Sequence, residues 1–241
     1  MKRRIRYRIE AEEDLATISD YTHKVLWHAD FFRKVIPDFS INVTEMYRDP
    51  TFYQKIRAEV IPLLKTYPFL KIWHAGCSSG EEVYSMAILL KEEGLLDKTQ
   101  IYATDFNDII LEKARAGIYD VDNLNKYEIN YRESGGENKL SDYYSQAYGN
   151  IIFNHDLKER ILFSNHNLVT DGVFGEMNMI ICRNVLIYFE KSLQNKVLHL
   201  FEDSLGRGGI LGIGSKESLE FTEFFERFKI IDPYEKLYKK L

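Results

Sequence analysis

The chain is poor in cysteine, in excess positive charge and in long apolar runs, and each shortage removes a class of function. Two cysteines in 241 residues, Cys77 and Cys182, cannot build a disulfide framework. Both fall inside candidate site motifs, and the expected setting is a reducing cytoplasm. No apolar run reaches the ~18–20 residues that span a bilayer, so no membrane insertion is expected. The opening MKRRIRYR is too basic, and too short of an apolar core, for a signal peptide. Lys and Arg number 32 against 37 Asp and Glu, a formal charge of −5 that argues against a nucleic-acid partner. The histidines at 23, 28, 74, 155, 166 and 199 show no metal-ligand spacing, and no metal site is expected. Repeats and low-complexity tracts are also lacking.

What is there suits one α/β domain with a small appendage: 45% of residues are hydrophobic, enough for a sizeable core. Residues 1–66 read as a polar helical region without a clear strand. Five of the first eight residues are basic (Lys2, Arg3, Arg4, Arg6, Arg8), either a solvated helix end or a contact to an acidic partner surface. Residues 67–241 alternate strand and helix. Leu70–Trp73, Ile101–Thr104, Ile161–Ser164, Met177–Cys182 and Ile210–Gly214 read as buried strands. Ile109–Ile118 and Leu193–Leu205 read as helices, the second ended by Gly206, Gly208 and Gly209. Phe228–Ile231 and Glu235–Tyr238 read as a closing antiparallel pair. This order predicts a mostly parallel sheet with helices on both faces, with ligands beyond the carboxyl ends of the strands. Residues 120–157, rich in Tyr, Asn, Ser and Gly, are too long for an ordinary connection and read as an inserted, partly stranded subdomain.

The most telling stretch is Ile72–Ala87, IWHAGCSSGEEVYSMA. A buried strand runs through a small-residue turn into a helix, the arrangement by which α/β domains hold a nucleotide-like cofactor. Gly76 and Gly80 let a ligand reach backbone. The turn is not G-x-G-x-x-G, and Glu81 and Glu82 open the helix where a pyrophosphate would lie. A phosphate is repelled there; an adenosine carrying a sulfonium and an ammonium is not. The turn therefore leans towards S-adenosylmethionine and methyl transfer.

Other candidates fall at strand ends. Asp105 closes the second strand and suits the two ribose hydroxyls, the reading favoured by the order of strand, turn and acid over the alternative of a helix N-cap. One of Glu81 and Glu82, with Glu82 favoured, suits the cofactor's ammonium; the bland alternative is interaction with the helix dipole. Asn167 and Leu168 can meet the adenine edge and face, but Asn is also a common turn residue. Arg183–Asn184 leaves the fourth strand into Val185–Phe189. Asn184 can use side chain and backbone on the cofactor, and Tyr188 can line a methyl-transfer channel. Packing explains Leu186 and Phe189 but not Arg183. Asn42–Pro50, NVTEMYRDP, contains Arg48, which by local sequence alone reads equally well as a surface ion pair.

Together these passages resemble the CheR family of chemotaxis methyltransferases. NVTEMYRDPTFY is similar to the family's N-x-T-x-F-F-R segment, and WHAGCSSGEEVYSMA to its A-G-C-S-T-G-E-E-P-Y-S turn. IYATDFNDIILEKARAGIY is similar to A-T-D-I…L-x-x-A-R-x-G-x-Y, and MIICRNVLIYF to F-C-R-N-V-L-I-Y-F. The resemblance covers about Asn42 to Leu219. It implies a Rossmann-like S-adenosylmethionine-dependent methyltransferase that esterifies receptor glutamates and leaves S-adenosylhomocysteine. It carries cofactor contacts to Asn42, Thr44, Arg48, Glu82, Asp105, Asn167, Leu168, Asn184 and Val185, beside Gly76 in the turn. It puts Arg48 and Tyr188 nearest the reacting groups. Implied partners are the cytoplasmic helical regions of chemoreceptors, met by a monomer.

The chain departs from the pattern in four places. The helical region before Asn42 is shorter than usual, so a receptor-docking basic helix is reduced to Lys2–Arg8 or partly lost. Met46–Tyr47 stands for Phe-Phe, Val83 for Pro, and Gly214–Ser215–Lys216–Glu217 for G-H-S-E. The competing readings are a methyltransferase for another acceptor and a non-catalytic signalling member. A DNA amino-methyltransferase is disfavoured because Asn184 is followed by Val-Leu-Ile-Tyr, not Pro-Pro-Tyr. A nicotinamide dehydrogenase fits the acidic turn poorly.

Overall fold

The computed structural model describes residues 2–12, 14–39, 44–220 and 222–241, with backbone alone at 33 and 36–39. The chain forms two compact units, Met1–Val43 and Thr44–Leu241. The first holds helices α1 (Lys2–Ala11), α2 (Ile18–Trp27) and α3 (Ala29–Phe39). A capping box starts α2: Asp20 N donates to Thr17 Oγ1 at 3.1 Å, and Thr17 N to Asp20 Oδ2 at 2.9 Å. Leu15, Tyr21, Phe31 and Val35 make a small core. No residue of α1 is buried, and Lys2, Arg3, Arg6 and Tyr7 are exposed.

In the second unit, α4 (Pro50–Lys55) runs through a π turn (Ile56–Val60) into α5 (Ile61–Leu64) and then β1 (Leu70–Ala75). There follow α6 (Glu81–Glu92), β2 (Thr99–Asp105), α7 (Asp108–Ala116), β3 (Ile118–Asp120), α8 (Leu124–Glu133), β4 (Tyr144–Ala147) and β5 (Asn150–Phe153). The chain continues with α9 (His155–Lys158), β6 (Ile161–Asn165), β7 (Met177–Cys182), α10 (Lys191–Ser204), β8 (Leu205–Ile213), β9 (Phe228–Asp232) and β10 (Leu237–Lys240). The main sheet has seven strands in the order β6-β2-β1-β7-β8-β10-β9. Its first five strands are parallel, and β10 runs antiparallel to both of its neighbours, β8 and β9. This is the expected α/β architecture.

Pleating divides the core between the two faces. Ile72 of β1 packs with Val83, Met86 and Leu90 of α6. Trp73 and Ala75 face the other way, with Val197 and Phe201 of α10. Burying a side chain of this size is worth roughly 1.5–3 kcal/mol. The stretch after α7 contributes a separate antiparallel sheet, β3-β5-β4.

Several boundaries differ from the sequence expectation, three of them at glycines or turns. Gly117 adopts φ +61° and stops α7, so Ile118 opens β3 instead of closing the helix. A Cβ at Gly117 would meet the Tyr84 hydroxyl at 2.5 Å. Gly206, Gly208 and Gly209 do not separate helix from strand: Leu205 is already extended and pairs with Met177, so the glycines lie within β8. Glu235 and Lys236 form a turn, and β10 begins at Leu237.

Candidate active site

β1 ends at Ala75 and the chain turns sharply. Gly76 N and Cys77 N both donate to Thr104 O, at 2.8 and 2.9 Å, tying the turn to β2. Gly76 has φ +79°, and a Cβ there would stand 2.6 Å from Val185 Cγ2. The turn after β1 therefore abuts the turn after β7.

Asp105 lies at the carboxyl end of β2, buried. Its two oxygens accept from Ser78 N (2.9 Å) and Asn107 N (3.1 Å). The N-cap of α7 is Asn107, whose side chain accepts from Ile109 N and Ile110 N. Capping thus does not account for Asp105. A carboxylate has about four acceptor positions, so it keeps capacity for hydroxyl donors. Burial pushes its carboxyl above the ordinary value, against the pull of the Asn107 and Ser78 N–H groups.

The paired acids at the start of α6 have different surroundings. Glu81 is buried and takes the Ser79 hydroxyl at 2.7 Å. Burial pushes its carboxyl up to about 7. Glu82 meets His74 Nδ1 at 3.0 Å and Arg183 Nη1 at 3.5 Å. Burial acts to raise its carboxyl too, but His74 and Arg183 outweigh that and hold it below the ordinary value.

Arg48 sits in a tight turn before α4. Its carbonyl accepts from Arg183 Nη1 at 3.2 Å, and the neighbouring Asp49 takes Arg183 Nη2 at 2.6 Å. Thr44 is half-buried four residues earlier. Asn42 lies outside the described residues. Asn167 is half-buried after β6; its side chain accepts from Val169 N at 2.9 Å, and Leu168 is buried in the α10-side core. His166 N donates to Asp105 O at 3.1 Å, which keeps this turn beside the end of β2.

Asn184 has φ +60° at the end of β7. Asn184 N, Val185 N and Ile187 N donate to the Glu217 carboxylate, at 3.2, 2.9 and 3.3 Å, and Gly214 N adds a further bond. Tyr188 closes the short turn Leu186–Tyr188 and is exposed. The structure therefore gathers Gly76, Asp105, Asn167, Asn184 and Val185 at one end of the sheet and links Arg48 to Glu82 through Arg183. Sequence reasoning gave no role to Asp49, His74 or Glu217. His74 shows no metal-ligand spacing, and Asp49 carries no motif of its own. Glu217 lies in Gly214–Glu217, which departs from the family's G-H-S-E. Among the described residues, no cluster of His, Cys, Asp and Glu could hold a metal ion.

Comparison with known proteins identifies the family. Residues 42–233 match the model "CheR methyltransferase, SAM binding domain". A Pseudomonas putida protein named "Putative methyltransferase Cher3" is 45% identical over 240 residues, covering 100% of this chain and 88% of its own. A "Chemotaxis protein methyltransferase" of Listeria innocua is 31% identical, covering 91% of this chain and 81% of its own. Among solved structures, the plantazolicin methyltransferase BpumL in complex with SAH covers 79% of this chain and 55% of its own, at 12% identity and TM-score 0.42. That last likeness is too loose to carry an argument. The family match takes in the Arg48 turn, the Gly76 turn, Asp105 and the Asn184 turn together, and the chain belongs to the CheR methyltransferases, whose methyl donor is S-adenosylmethionine.

Proposed function

We propose that the protein transfers a methyl group from S-adenosylmethionine to glutamate side chains in the cytoplasmic helical region of chemoreceptors, as part of sensory adaptation. One observation carries the reading: an arginine, Arg48, is held by its backbone to the same guanidinium that contacts Glu82 at the head of the cofactor turn. On this reading, a planar fork that suits carboxylates works beside a turn that suits a cation.

The residues fit the donor. The Gly76 turn has no room for a side chain on the Val185 side, and two acids rather than a phosphate cradle open α6. Asp105 would take the ribose hydroxyls, Glu82 the ammonium, Asn167 and Leu168 the adenine, and Asn184 and Val185 the remaining polar edge. Asn42 and Thr44 would complete the set. When bound, S-adenosylmethionine supplies an electrophilic methyl carbon. The chain's own task is positioning and desolvation. A glutamate has a pKa near 4.3 and is already ionised at neutral pH, so no base is required. Arg48 orients the carboxylate by a steering contact, because full pairing would lower its nucleophilicity. Tyr188 lines the approach. Holding the reacting atoms ~3–3.5 Å apart and in line accounts for several kcal/mol of the barrier.

The basic face of α1 suits an acidic receptor helix. The receptor region lies in the cytoplasm, and no described helix is long and apolar enough to cross a membrane. The test is transfer of a radiolabelled methyl group to receptor cytoplasmic fragments, followed by mild alkali. Label released as methanol establishes carboxyl methyl esters. Alkali-stable label assigns another acceptor. Absence of label despite measured S-adenosylhomocysteine binding overturns the reading for that receptor.

A further inference from the structure

The residues on either side of Arg48 are both left-handed, Tyr47 at φ +51° and Asp49 at φ +55°. Neither is glycine, and such a backbone persists only where its surroundings over-determine it. Three side chains do so here. Tyr47 N donates to Ser85 Oγ at 3.0 Å, and Asn130 Nδ2 donates to Met46 O at 2.9 Å. Arg183 holds the rest, donating from Nη1 to Arg48 O and from Nη2 to Asp49. Asp49 is the N-cap residue of α4, yet its side chain makes no cap hydrogen bond; it faces Arg183 instead.

Arg183 is built to stay in place. Its side chain is 1% exposed, and its guanidinium carbon stands 4.1 Å from the centre of the Phe52 ring. It lies between two carboxylates from separate elements, Asp49 and Glu82. Glu82 is steadied from its other side by the fully buried His74. A lone buried guanidinium needs one partner for its charge. This one spans the Arg48 turn and the first turn of α6 with a single rigid fork.

We propose that Arg183, braced by Asp49, is a positioning residue for methyl transfer: it fixes the Arg48 turn relative to Glu82. The inference rests on the reading of Arg48 as the group that orients the acceptor carboxylate. Arg183 acts through Arg48 and Glu82 and has no step of its own.

Four proteins test it: wild type, Asp49→Asn, Arg183→Lys and the double variant. Each is read by melting temperature, by S-adenosylhomocysteine Kd from calorimetry, and by kcat and KM for receptor methylation. The Asp49 side chain is 41% exposed, so its amide variant is expected to fold with an unchanged melting temperature. A displacement near 1 Å costs about 100-fold in rate, and a kcat loss of that order is expected in each single variant, with KM little changed. The double variant is expected to be no slower than Arg183→Lys alone, because both substitutions release one clamp. Arg183→Lys is also expected to weaken S-adenosylhomocysteine about ten-fold through Glu82.

Wild-type kcat in Asp49→Asn, or losses that multiply in the double variant, overturns the proposal. If Arg183→Lys does not fold, Asp49→Asn decides. If the wild type methylates no receptor fragment, the functional reading fails, and the calorimetric arm decides alone: unchanged affinity in Arg183→Lys then overturns the positioning role.

Discussion

Glu217 grips the backbone of Val185, taking its N–H at 2.9 Å from 32 residues away in the chain. The same carboxylate takes the N–H groups of Asn184, Ile187 and Gly214. One side chain thus sets the shape of the turn between β7 and Tyr188. Glu217→Gln replaces one acceptor oxygen with an amide that faces N–H donors. Leaving buried donors unpaired costs about 1–3 kcal/mol, so melting temperature is expected to fall. S-adenosylhomocysteine affinity is expected to fall with it, since Asn184 and Val185 lose their template. Melting curves with and without ligand check both; a ligand-induced shift equal to that of the wild type would sink the idea.

Glu81 is expected to give ligand binding a pH dependence. Its folded carboxyl is pushed from 4.5 up to about 7 by burial. Because the folded value is raised, its contribution to stability is fully present below 4.5 and is lost as pH rises through about 7. Binding runs the other way. Glu82 takes the ligand's ammonium, and an ionised Glu81 beside it adds to the attraction, so affinity for S-adenosylhomocysteine is expected to climb towards neutral pH and level off above it. Calorimetry across this range, with Glu81→Gln as the flat control, is the measurement; an equal slope in the variant refutes the assignment.

Gly76→Ala combines two penalties. Alanine is strained at φ +79°, and its Cβ collides with Val185 Cγ2. The backbone term alone is roughly 1–2 kcal/mol. Removing the collision with Val185→Ala is expected to restore part of the stability and part of the ligand affinity, but not the whole. Denaturant midpoints of the single and double variants resolve the two contributions.

Arg48→Lys keeps the charge and removes the fork. The expected result is a kcat lowered by one to two orders of magnitude, roughly what a misaligned nucleophile costs. S-adenosylhomocysteine Kd is expected to change far less. Tyr188 is 55% exposed, so Tyr188→Phe is expected to leave stability within ~0.5 kcal/mol of wild type. Any loss it causes should appear in kcat.

The sheet was legible in sequence because buried parallel strands such as Met177–Cys182 are uninterrupted apolar runs, and because Gly117 and the acids of α6 mark helix ends. The glycines at 206–209 misled because they mark close packing within a strand, not a break: a Cβ at Gly209 would stand 2.9 Å from Gly206 O. Asp105 was legible through its position after a strand and before a helix. The sequence left a capping role open for Asp105, and the structure gives that role to Asn107 two residues later. Arg183 was visible as an oddity but not as a clamp, because its partners Asp49 and Glu82 lie 134 and 101 residues away. Glu217 was invisible for the same reason: its partners are N–H groups, which every residue but proline carries.

The strand order has a consequence in time as well as in space. The Gly76 turn and Asp105 belong to one half of the sheet, and Asn184, Val185 and Glu217 to the other, with β1 and β7 meeting between them. A nascent chain that has emerged only as far as α9 holds the first half without the second. On the proposed contacts, full ligand affinity is expected only once Glu217 has emerged and the long-range β1–β7 pairing has closed.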